Sequence, residues 1–163
     1  MMLMLLVCVL CVVFCFAVAN ASGKADEQAE EMFTTFKRNN IPEDVYELAK
    51  LIQVEAGYNP PDWFAMLIGE VILNRVESWR FPNTILEVIH DDKPVQFESV
   101  FKRGWNDIIP DDEYIDLAER LINGERAIGD KDILFFGRTP EATGAIVTYY
   151  DKTTNTMTYF SRG

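Results

Sequence analysis

Glu55 is the residue whose setting could do chemistry. It lies at the end of a helical pattern, just before Ala56-Gly57. Carbonyl dipoles at a helix C-terminus disfavour an ionised carboxylate. Leu51 and Ile52 one turn back, with Val54, Tyr58 and Trp63 nearby, would shield the group further. Both effects act in one direction and favour a carboxylic acid that keeps its proton. Such an acid is what a glycosidase uses to protonate a leaving oxygen. The plainer alternative is a solvated residue at a helix end, and spacing alone does not separate the two. Trp63, Trp79, Phe81, Phe97, Phe101 and Trp105 offer flat faces for sugar rings, although most aromatic side chains are core, and Trp63 is read with Phe64 as core. Asn74 and Gln96 could hydrogen-bond acetamido groups, or serve as buried structural amides.

Other chemistries lack their residues. His90 is the single histidine, so neither a His-rich metal site nor an HExxH protease is present. Cys8, Cys11 and Cys15 all fall in the apolar first segment. The chain beyond it has no thiolate nucleophile, disulfide framework or cysteine zinc site. Ser78, Ser99 and Ser161 have no G-x-S-x-G setting. Asp91-Asp92 and Asp111-Asp112-Glu113 lack EF-hand spacing and read as solvated faces and caps. No metal and no cofactor are expected.

Fifteen Lys and Arg against 26 Asp and Glu leave a net charge of −11 over 163 residues. Phosphate contacts need clustered cations, so nucleic acid is not an expected partner. Anionic lipid is disfavoured on the same ground. Met1 to Val18 is an uninterrupted apolar run followed by Ala19-Asn20-Ala21. Residues 1–21 therefore read as a secretory signal peptide, with an uncleaved membrane anchor as the alternative. The expected location is secreted or cell-envelope, with the membrane touched only through this segment. Residues 22–163 suit a single domain, expected to be a monomer.

The elements that must position Glu55 follow from pattern. Ser22 to Asn40 predicts a polar surface helix. Pro42-Glu43-Asp44 starts a helix carrying Val45, Leu48, Ala49 and Ile52 at helical spacing, stopped by Gly57. Asp62 is expected to cap the next helix, which is apolar all round from Trp63 to Val76 and so central. Its buried polar candidates are Glu70, Asn74 and Arg75. A short turn at Thr84 to Ile89, an aromatic segment at Gln96 to Trp105 and a helix from Pro110 to Asn123 follow. Ile133 to Phe136, Ala145 to Tyr150 and Thr156 to Phe160 then read as short strands. Helices first and a small sheet last make the fold class α+β.

Four segments in series carry a resemblance: Leu51-Ile52-Gln53-Val54-Glu55-Ala56, Val71-Ile72-Leu73-Asn74-Arg75-Val76, Arg80-Phe81-Pro82-Asn83-Thr84 and Val95-Gln96-Phe97. Together they resemble the SleB-type cell-wall hydrolases, the spore-cortex-lytic enzymes and related peptidoglycan hydrolases. The resemblance spans about Leu48 to Phe160. It implies a lysozyme-like, two-lobed fold with a mainly helical lobe and a small antiparallel sheet near the C-terminus. It implies that Glu55 is the catalytic acid and that peptidoglycan is cut between N-acetylmuramic acid and N-acetylglucosamine, as in a lytic transglycosylase. Asn74, Gln96 and Phe97 match motif positions near the cleft and are carried over as binding or shaping residues. The family's first motif usually continues with Arg-Gly-Glu, whereas this chain has Gly57-Tyr58-Asn59, so Asn59 stands in place of a second glutamate. Asn59 is taken as a further binding residue. Should water attack instead, Asp62, Glu70 and Glu98 are the candidate partner carboxylates. A catalytically weak peptidoglycan-binding domain on the same scaffold is the alternative function.

Overall fold

The structure is a computed structural model, and it describes residues 40–93, 95–138 and 144–162 together with isolated positions between 24 and 35. The chain divides into two units, residues 1–41 and 42–163. In the first, the described positions Lys24, Asp26, Gln28, Met32, Thr35 and Asn40 are helical and exposed. The expected signal peptide, with its three cysteines, lies outside the described residues. Among the described residues no helix is long and apolar enough to cross a membrane.

The second unit is built on two long helices. Helix α1 spans Glu43–Ala56 and α2 spans Asp62–Glu77. Pro42 occupies the N-cap position of α1, and Glu43 and Asp44 place negative charge at its positive end. Gly57 ends α1 at φ 79° and ψ −155°, a region essentially closed to residues with a Cβ. This differs from the left-handed helical stop expected, because the chain leaves α1 extended toward Pro60-Pro61. Asp62 is the first helical residue of α2 rather than its cap. The Pro61 carbonyl accepts from Phe64 N at 2.9 Å and Ala65 N at 3.3 Å, which makes Pro61 the capping position.

Helix α2 is buried from Phe64 to Arg75. It packs against α1, the short helix α3 (Ile85–Ile89) and α4 (Asp112–Ile122). Gly69 makes this close approach possible. A Cβ there would meet Leu121 Cδ1 at 2.5 Å and Ile52 Cδ1 at 2.7 Å, so α1, α2 and α4 converge on a position with no room for a methyl group. Leu48, Leu51, Ile52, Leu67, Ile68, Ile72, Ile89 and Leu121 are fully buried around it. Each contributes about 1.5–3 kcal/mol by leaving water.

Two 3₁₀ turns, Glu98–Phe101 and Trp105–Asp107, occupy the expected aromatic segment. Strands β1 (Ile133–Gly137), β2 (Ala145–Asp151) and β3 (Thr156–Arg162) form an antiparallel sheet in the order β1-β3-β2. Phe160 in the central strand is fully buried. Its ring lies 5.8 Å from Phe64 of α2 and 5.7 Å from Phe136 of β1, and Phe136 in turn lies 5.9 Å from Phe97. These rings fasten the sheet to the helices. The architecture is the α+β one expected, with a helical lobe and a small antiparallel sheet near the C-terminus.

Candidate active site

Glu55 sits on the last turn of α1 and is half-buried. Its Oε1 accepts a hydrogen bond from Ser99 Oγ at 2.6 Å. Ser99 lies in the first 3₁₀ turn, which the buried side chains of Phe97 and Val100 tie to the core. One carboxylate oxygen is thus fixed by a short hydroxyl contact, and the other has no protein partner among the described hydrogen bonds. Gln53, on the same helix, is turned to another task. It donates to Asp111 Oδ2 at 3.3 Å and accepts from Asp111 N at 2.9 Å, joining α1 to the start of α4.

Of the expected binding residues, the structure brings the segment of Gln96 and Phe97 toward Glu55, because Ser99 lies two residues beyond Phe97. Gln96 is half-buried. Phe97 is only 3% exposed, its ring set against Phe136 and the Arg75 guanidinium. Direct contact with a sugar is therefore closed to Phe97, and of the two roles expected for it shaping is the one its burial allows.

Asn74 is likewise interior. Its Nδ2 donates to the carbonyls of Asp130 and Ile133, both at 3.0 Å, so its donor group is occupied in holding the entry to β1. That is a structural role for its amide nitrogen, and Asn74 also lines a cleft of about 470 Å³ with Arg80 and Lys131. Asn59 is exposed, with φ 49°, in the left-handed region that asparagine tolerates better than glutamate. It lines a cleft of about 210 Å³ with Asp62, Glu113, Asp116 and Arg120, in whose wall Glu55 does not appear.

The three candidate partner carboxylates separate clearly. Glu70 is fully buried and accepts from Ala127 N at 2.7 Å, Ile128 N at 3.0 Å and Gly129 N at 2.7 Å, which commits it to folding the loop before β1. Asp62 belongs to the Asn59 cleft. Glu98 is exposed and adjoins Ser99. Among the described residues no group of three or more His, Cys, Asp or Glu could hold a metal ion.

Arg75 packs against the Phe97 ring. Its Nε donates to Leu134 O at 2.7 Å, and its guanidinium stacks within 5.0–5.4 Å of Phe81, Phe97 and Phe135. Burial pushes its pKa down to about 10, and Asp91 opposes that shift. It remains a cation at neutral pH, held by ring faces and one carbonyl. Ser99 is the site residue that the sequence does not disclose. Its surroundings in the chain speak only against a nucleophile, and nothing local marks it as a donor to a carboxylate 44 positions away.

Residues 65–161 match the family model described as Cell Wall Hydrolase. The chain belongs to the cell wall hydrolase family. Glu55 lies before the matched residues, so the match does not itself cover it. The fold is similar to two solved catalytic domains. One is that of the germination-specific lytic transglycosylase SleB from Bacillus anthracis, at 24% identity and a TM-score of 0.56, covering 76% of this chain and 98% of that one. The other is that of the Bacillus cereus SleB protein, at 22% identity and a TM-score of 0.52, covering 77% of this chain and 98% of that one. These likenesses support the lysozyme-like arrangement expected of this family member. No curated protein matches the chain in sequence.

Proposed function

We propose that this cell wall hydrolase cleaves the glycan strand of peptidoglycan between N-acetylmuramic acid and N-acetylglucosamine, as a lytic transglycosylase, with Glu55 as its one acid and base. The observation that carries this is the half-buried Glu55 carboxyl, one oxygen held by Ser99 Oγ at 2.6 Å and the other without a protein partner among the described hydrogen bonds. The name of the Bacillus anthracis neighbour, a lytic transglycosylase, supports the reaction class.

The path needs no second carboxylate. Glu55 gives its proton to the glycosidic oxygen, the muramic C1–O bond breaks, and the N-acetylglucosamine fragment leaves with its 4-hydroxyl restored. The carboxylate then takes the proton from the muramic 6-hydroxyl as that oxygen closes on C1. The products are a free end and a 1,6-anhydro end, and Glu55 is protonated again. Glu70 is spent on backbone, which is consistent with a path that uses a single carboxyl group. The substrate lies outside the cell membrane, and the apolar run at residues 1–18 supports export of the chain.

The test is to incubate the purified protein with peptidoglycan sacculi and examine the released fragments by mass spectrometry. Muropeptides one water lighter than hydrolysis products are expected from the wild type and none from Glu55→Gln. Fragments of full hydrolytic mass would replace ring closure by water attack. Undiminished release by Glu55→Gln would remove Glu55 from the chemistry.

A further inference from the structure

The proposed reaction makes no use of the turn that follows α2. Trp79 follows that helix and is 94% exposed. Its indole offers a large, flat apolar face with a polar N–H handle, held open to solvent on a rigid turn. The turn is rigid because Ser78 N donates to Arg75 O at 2.9 Å and Phe81 N donates to Ser78 O at 3.1 Å. The Phe81 ring is pinned at 5.0 Å by the Arg75 guanidinium and at 6.0 Å by Phe135. Trp79 therefore projects from a fixed base.

Two clefts share this base. One, of about 690 Å³, runs past Trp79 toward Asn83 and Glu87. The other, of about 470 Å³, runs past it toward Arg80, Lys131 and Asp132. Glu77, Ser78 and Trp79 belong to both walls. Both walls carry hydrogen-bonding side chains beside Trp79.

We infer that Trp79 and its two flanking clefts form a second glycan-binding platform, on which an N-acetylhexosamine ring of the peptidoglycan strand stacks. The occupant follows from the chemistry of the walls. A protein-docking hot spot is ringed by residues that exclude water. Here one flat apolar face is bordered by amide, hydroxyl, carboxylate and cationic groups, the mixture that satisfies hydroxyl and acetamido groups around a ring with an apolar face. Trp79 lies beyond the C-terminus of α2, whereas the loop following Glu55 enters its N-terminus. A polymer engaging both places gains from the high local concentration that the first contact gives the second. The inference rests on the proposed substrate, and it extends that reading to two clefts whose walls do not include Glu55.

The test uses the full chain carrying Glu55→Gln, so that the ligand survives, and measures equilibrium binding to glycan strands freed of stem peptides. Adding Trp79→Ala is expected to weaken binding about tenfold, and Trp79→Phe, which keeps a stacking face, to weaken it less. Circular dichroism checks that both variants fold, as an exposed side chain permits. Equal binding with and without the Trp79 ring would overturn the platform, as would the absence of any binding to peptide-free strands. Neither result touches the catalytic reading, which stands or falls on fragment release by the wild-type protein.

Discussion

Ser99 Oγ lies 2.6 Å from Glu55 Oε1, and through that contact the 3₁₀ turn after Gln96-Phe97 fixes the carboxyl at the end of α1. A hydroxyl donor restricts the rotation of a carboxylate, and the second oxygen has no protein partner among the described hydrogen bonds. Ser99→Ala is expected to lower kcat about tenfold, the equivalent of one ordinary hydrogen bond in the transition state, with KM within about twofold. Ser99→Thr keeps the hydroxyl and should retain most of the activity. Steady-state release of muropeptides measures both variants. Full activity in Ser99→Ala would mean that the carboxyl needs no such restraint.

Glu70 binds three consecutive backbone N–H groups at Ala127, Ile128 and Gly129 from the middle of α2. A buried carboxylate with three donors is strongly held, and an amide in its place would turn an NH₂ group toward N–H donors. Glu70→Gln should cost about 3 kcal/mol and lower Tm by on the order of 10 °C. Amide hydrogen exchange should quicken first at residues 127–129. A Tm within two degrees of wild type would show that the loop folds without this clamp.

These residues also show which features the sequence discloses. The apolar surround of α2 announces a buried helix, and the few polar residues of a buried helix must be anchors, so Glu70, Asn74 and Arg75 stand out from pattern alone. Their partners do not. Asn74 and Arg75 bind backbone carbonyls of residues 130–134, and Glu70 binds backbone amides of residues 127–129. Backbone groups carry no residue-type signal, so Asn74 in its motif reads equally well as a sugar ligand. Phe97 is ambiguous in the same way between binding and shaping, because an aromatic in a loop and an aromatic in a core look alike until a strand residue such as Phe136 covers its ring. The strands themselves are legible from their turn residues, and Asn155 takes φ 55° in the β2–β3 hairpin.

Lys50 is 1% exposed and bonded to Glu47 Oε1 at 2.6 Å, with its ammonium 4.4 Å from the centre of the Trp105 ring. Trp105 Nε1 donates to the other Glu47 oxygen at 3.1 Å. Removing only the carboxylate charge strands a buried ammonium. Glu47→Gln is therefore expected to destabilise by about 3 kcal/mol, whereas adding Lys50→Met should recover most of that loss. Chemical denaturation of the two single variants and the double variant closes the cycle. Strict additivity would mean that the pair does not act as a unit.

The sheet should loosen in acid through two carboxylates held by different means. Asp130 is kept below its ordinary value of 3.8 first by Arg162, at 2.6 Å, and then by the Asp132 N–H. Asp151 is kept low by the Thr154 hydroxyl at 2.6 Å and the Thr153 N–H at 2.7 Å, in the turn between β2 and β3. A lowered pKa in the folded state means that the unfolded chain binds protons first as pH falls. The contribution is complete above about pH 5, falls as the pH drops through 3.8 and is gone below the folded-state value. Stability measured from pH 6 to pH 2 should therefore show a slope that Asp130→Asn and Asp151→Asn each reduce. Salt distinguishes them. Molar salt screens the exposed Asp130–Arg162 pair but leaves short hydrogen bonds to neutral donors largely intact. The Asp130 part of the slope should shrink in 1 M NaCl while the Asp151 part persists. Equal loss of both parts would mean that the hairpin turn, like the ion pair, is held by charge.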